Sequence, residues 1–146
     1  MVKTSQPFAE KDVSEAKLQK TRDHRGFAGL SRGSKTTVNS GMMHCADLFA
    51  YIGSYSGAWA DVEEFKDILE SEEYKNCDFK YWYNGNGTED FSLENHEEFL
   101  NEVLEKMPDR FSLDKNVAWV VFSGGGHAYN CWIADLYNSL LVFFKK

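Results

Sequence analysis

Two side chains in this sequence have the types and settings to carry out covalent chemistry together, Cys45 and His127. A thiol becomes a strong nucleophile when its thiolate is stabilised, and the first turn of a helix does this through unpaired N–H groups and the helix dipole. Leu48, Ile52 and Tyr55 recur at helical spacing after Cys45, with Ala46 and Phe49 beside them. The pattern predicts a buried helix that Cys45 opens and that Gly53, Ser54, Ser56 and Gly57 end. His127 follows Gly124, Gly125 and Gly126, which permit positive φ and close backbone approach and so leave an imidazole at the mouth of a cleft. A thiolate and imidazolium so paired can attack a carbonyl carbon. The oxyanion then needs donors, for which the Cys45 N–H and the Asn39 side-chain amide are candidates. The imidazole needs an acceptor, for which Asp135 or Asn138 could serve.

The elements expected to hold these groups are read from periodicity. Residues 1–40 are polar and basic and read as a flexible N-terminal arm, and residues 41–146 as a single compact domain. Beyond the Cys45 helix, Trp59 to Lys75 carries Val62, Phe65, Ile68 and Leu69 on one helical face. Cys77 to Tyr83 alternates as a strand does, and Asn84-Gly-Asn-Gly87 is a turn signal. A third helix, Glu94 to Lys106, starts with an Asn95/Glu98 capping spacing and stops at Pro108. Strands are expected at Val117–Phe122, His127–Ala134 and Leu140–Phe144. Helices first and local strands after predict an α+β fold, with N-terminal helices packed on a small, mostly antiparallel sheet.

Composition limits the partners. The chain has a net charge of −7, and residues 41–146 hold eight basic against nineteen acidic side chains, a net of −11. That argues against nucleic acid and for a protein substrate or a basic protein partner. Three unpaired-looking cysteines, no secretory leader and no apolar run of membrane length suggest a cytoplasmic protein of its own or a host cell, without cofactor. A zinc site assembled from His44, Cys45, Cys77, His96, His127 and Cys131 lacks short ligand spacing, so no metal is expected.

The order Asn39, Cys45-Ala46 at a helix start and Gly-Gly-His127-Ala-Tyr-Asn130 resembles the papain-like cysteine peptidase superfamily, in particular compact bacterial papain-fold toxins and effectors. The resemblance implies a thiol hydrolase acting on an amide bond, by protein cleavage or glutamine deamidation, with Cys45 as nucleophile and His127 as base. A second reading has no chemistry. In it the acidic domain is a binder, such as a toxin-immunity protein or a phage inhibitor of host defence, that presents Tyr81, Trp82 and Tyr83 to a basic partner, on a papain-like scaffold or another.

Overall fold

The computed structural model describes residues 21–145. Four strands, β1 (Gly26–Leu30), β2 (Tyr51–Tyr55), β3 (Tyr81–Gly87) and β4 (Val117–Phe122), form one sheet in the order β1-β2-β3-β4. Every adjacent pair is parallel. Parallel neighbours require a crossover, and each connection here contains a helix. These are α1 (Arg32–Thr36, continuing as a π-helical segment Thr37–Met42), α2 (Val62–Leu69) and α3 (Leu93–Lys106). A fourth helix, α4 (Tyr129–Val142), follows the last strand. The expected antiparallel α+β arrangement is therefore replaced by an α/β one.

Both faces of the sheet are covered, so its strands do not alternate between apolar and polar residues. Along β2 and β3 the alternate positions Ile52 and Trp82 join Val38, Met42, Phe65, Leu69, Phe99 and Val103 in one core, under α1, α2 and α3. The positions between them, Tyr51, Tyr55 and Tyr83, join Phe143 and Trp132 in a second core under α4. Trp82 and Tyr83 are buried and Tyr81 is half-buried, so the expected aromatic binding surface is interior packing.

Three element assignments change for physical reasons. Asn84-Gly-Asn-Gly87 is no turn but the buried end of β3. A side chain at Gly85 would lie 1.8 Å from Asp135 Oδ1, and one at Gly87 would lie 2.1 Å from the Gly125 carbonyl oxygen, so both glycines mark close approaches within a strand. The helix expected after Cys45 is strand β2, and the helical stretch precedes it. Residues 127–134 and 140–144 are largely one helix, whose buried stripe is Cys131, Asp135 and Ser139 while Ile133, Leu136, Leu140 and Leu141 are exposed. That inverted stripe defeats a periodicity search for apolar residues. Of the expected arm, residues 1–20 lie outside the described residues, and residues 21–40 carry β1 and most of the first helical stretch. No helix among the described residues is long and apolar enough to cross a membrane.

Asp135 is fully buried, accepts a hydrogen bond from the Tyr83 hydroxyl at 3.0 Å and has its second oxygen unpartnered. Burial, reinforced by the charge of Asp90 and opposed by the Tyr83 bond, pushes its carboxyl up to about 7. A raised carboxyl binds its proton more tightly in the folded state, so folding stability falls as pH rises from about 3.9, the unfolded value, through the folded one near 7. Asp135→Asn should therefore melt above the native protein at pH 8, with the difference shrinking toward pH 4. A pH-independent difference in calorimetric melting temperature would show that Asp135 is not a buried acid of this kind.

Candidate active site

In a parallel sheet the residues just past the carboxyl ends of the strands share one edge, and ligands bind there in open α/β sheets. Ser31 follows β1, Ser56 follows β2, Asp90 lies three residues past β3, and His127 lies between β4 and α4. At this edge His127 Nε2 lies 2.9 Å from Ser31 Oγ, and its Nδ1 lies 3.1 Å from both oxygens of Asp90. With Nδ1–H donating to the carboxylate, Nε2 is the acceptor for the serine proton.

Each member is held by local chemistry. Ser31 has φ 55° and ψ −120°, a strained setting for a non-glycine residue, and it turns the chain from strand into helix within one residue. Its N–H donates to the Tyr55 carbonyl at 2.9 Å, and its carbonyl accepts from Lys35 N–H at 3.2 Å, which ties it to β2 on one side and to α1 on the other. So sharp a turn brings residues 29 and 33 together. A Cβ at Gly29 would sit 2.4 Å from the Gly33 carbonyl oxygen.

Asp90 is buried and accepts from the Ser92 N–H at 2.8 Å and the Ser92 hydroxyl at 2.7 Å. Burial by itself would raise its carboxyl, but the hydrogen bonds from Ser56, Ser92 and His127 outweigh it and hold the group below the ordinary carboxylate range. The loops carrying acid and base are fastened to each other. Thr88 N–H donates to Phe122 O at 3.0 Å, Glu89 N–H to Gly125 O at 2.8 Å, and Gly124 N–H to Thr88 Oγ1 at 2.8 Å. Gly124 has φ +70°, and a Cβ at Gly125 would meet Cys131 Sγ at 2.8 Å, so the glycines before His127 serve the turn and its packing on α4.

Aromatic rings fix the imidazole plane. Phe91 lies 4.4 Å from it and Trp132 packs edge-on at 5.1 Å, with the Trp132 indole N–H donating to Ser56 Oγ at 2.9 Å. Behind the site His96 is fully buried, and burial lowers its imidazole to about 3, so it is neutral. It accepts at Nδ1 from Gly57 N–H and Asn86, and donates from Nε2 to Asn84 Oδ1 at 3.0 Å, which satisfies the two asparagines of β3.

The expected site residues are not brought together. Helical conformation runs from Arg32 through His44, so Cys45 follows the end of a helix rather than opening one. It also precedes β2, at the sheet edge opposite His127, which removes both its thiolate-stabilising dipole and its base. Asn39 donates its amide to the carbonyls of Lys35 and Trp59. Asp135 is bonded to Tyr83, and Asn138 donates weakly to the same hydroxyl at 3.5 Å. Only His127, among the expected residues, stands among reactive partners. The local signal for Ser31 is Gly29-Leu30-Ser31-Arg32-Gly33, a G-x-S-x-G segment between a strand and a helix, whereas Asp90 has no comparable motif around it. The chain order Ser31, Asp90, His127 is that of the α/β hydrolases.

No protein-family model matches the chain. Solved structures do. The chain is similar to a serine-to-alanine mutant of the feruloyl esterase module from Clostridium thermocellum complexed with sinapinate, at 24% identity and TM-score 0.72 over 97% of this chain and 55% of that one. It is also similar to the ferulic acid esterase of the anaerobic fungus Anaeromyces mucronatus, at 19% identity and TM-score 0.67 over 98% and 51%. A protein described as FAE matches at 26% identity and TM-score 0.68 over 84% and 46%. The fold is that of these esterases. The chain spans about half their length. The likeness and the Ser31–His127–Asp90 geometry overturn both the papain-like thiol hydrolase and the non-enzymatic binder.

The two glycines of the turn separate experimentally. Gly29→Ala forces a methyl against the Gly33 carbonyl and should lower the melting temperature by several degrees. Gly33→Ala meets nothing within 4 Å and, in a helix, should be neutral or stabilising by up to about 1 kcal/mol. Equal effects in thermal melts would contradict the close approach at the serine.

Proposed function

We propose that the protein is a serine esterase that hydrolyses carboxylic esters, those of hydroxycinnamic acids being the favoured class. The observation that carries the reading is the hydrogen-bonded chain from Ser31 Oγ through His127 to Asp90. Ser31 Oγ attacks the ester carbonyl carbon as its proton passes to His127 Nε2, and Asp90 stabilises the imidazolium. The tetrahedral oxyanion faces the backbone N–H of Arg32, which as the first residue of α1 has no intrahelical acceptor. In G-x-S-x-G hydrolases a second donor comes from a loop after an earlier strand, and no such strand is among the described residues. The C–O bond then breaks and the alcohol leaves with the proton from His127. Water, deprotonated by the same imidazole, hydrolyses the acyl-serine to release the acid.

Two features support an aromatic acyl group. A pocket of about 250 Å³ beside the serine is lined by Leu30, Tyr55, Tyr129, Trp132, Ile133 and Leu136. The exposed Phe91 lies against the catalytic imidazole. Solved neighbours are feruloyl esterases, one of them holding sinapinate.

Hydrolysis of methyl ferulate should fall by roughly 10⁴- to 10⁶-fold in Ser31→Ala and by about 10⁴-fold in Asp90→Asn. Cys45→Ala should keep the native rate. A fluorophosphonate probe should label Ser31 in the native protein and fail in His127→Ala. Loss of activity in Cys45→Ala with an unlabelled Ser31 would overturn the assignment.

A further inference from the structure

The two flanks of Ser31 differ in chemistry. The α4 side is the apolar pocket just described. On the opposite face of the sheet, the first two turns after the serine present Arg32, Lys35, Thr36, Asn39 and Ser40 around an open groove of about 510 Å³. Arg32 and Lys35 are exposed cations on an acidic molecule, and among the described residues neither pairs with a carboxylate. Lys35 lies about one helical turn after Ser31, and its N–H donates to the Ser31 carbonyl. Its ammonium sits 5.1 Å from the ring centre of Trp59, which is 49% exposed on the loop after β2. Asn39 clamps the arrangement, donating to the carbonyls of Lys35 at 3.0 Å and Trp59 at 2.7 Å, so the tryptophan loop is fixed to the helix. Trp59 also lines a neighbouring pocket with Asp61, Glu63, Glu98 and Glu102, whose charge disfavours an anion there.

Building on the esterase reading, we infer that this groove binds the alcohol half of the substrate, and that this half is an acidic sugar. The cations take its carboxylate and the Thr36 and Ser40 hydroxyls meet its hydroxyl groups, with Trp59 beside Lys35 as a reporter of binding. The apolar acyl group and the anionic alcohol then lie on opposite sides of the scissile bond, which orients the ester for attack.

The test uses the whole chain and two feruloyl esters, one of methyl glucoside and one of methyl glucuronide. The native protein should show kcat/KM at least tenfold higher for the glucuronide ester, a preference that shrinks as salt is raised. Lys35→Glu should abolish the preference by lowering kcat/KM for the glucuronide ester. In parallel, tryptophan fluorescence of Ser31→Ala should respond to methyl glucuronide and not to methyl glucoside, and Trp59→Phe should remove the response. Equal rates for the two esters, or a preference untouched by Lys35→Glu, would overturn the acidic-sugar site even with hydrolysis intact. Saturable glucuronide binding without hydrolysis of either ester would instead sink the catalytic reading and leave the groove standing.

Discussion

The site depends on one close approach, that of Gly29 to Gly33 across the turn at Ser31. A strand becomes a helix there with a single residue between them, and the cost is a serine at φ 55°. The strain is retained because both sides of the turn are fastened: Ser31 N–H is a ladder bond to Tyr55, and its carbonyl begins the helix. The return is a hydroxyl projected clear of the sheet edge, in line with an imidazole delivered by the far strand. A side chain at Gly29 would force the turn open and move the hydroxyl away from His127.

The rest of the sheet serves to bring that imidazole and its acid to the same place. Parallel pairing puts the carboxyl ends of all four strands on one edge, so residues far apart in the chain meet without any of them being on the same element. The close packing of Gly87 on Gly125 joins the loops after β3 and β4 into one unit, and within it Asp90 holds His127 in a fixed orientation. The buried His96 supports that unit from below, neutral and bonded to both asparagines of β3, so the polar end of a central strand finds uncharged partners within the fold.

Charge and polarity divide the surroundings of the serine. On one side α4 turns Asp135 and Ser139 inward against Tyr83 and Tyr55, and this leaves much of its aliphatic surface outside and an apolar pocket at its first turns. On the other, α1 carries cations in a chain that is otherwise acidic. On the proposed esterase reading, an ester lying across Ser31 would meet different chemistry at its two ends, and that asymmetry would bear on specificity more than the Ser31–His127–Asp90 group, which would act only on the carbonyl common to all esters.

By itself the sequence determined what local patterns carry. Strand β4 is a run of apolar residues and α3 ends at Lys106, two residues before Pro108, and both lie where periodicity puts them. The three glycines mark His127 as a positioned imidazole, and G-x-S-x-G marks Ser31. Only the tertiary structure decided which residue His127 serves. Its partner is 96 residues away, and local sequence offers both Ser31 and Cys45 as candidates until parallel pairing puts one at its side and the other at the opposite edge. The same holds for β2, β3 and α4. Their glycines and inward polar groups look like turns and surface along the chain, because the reason for each is a contact with a distant residue: Gly85 makes room for Asp135, and Gly87 for Gly125.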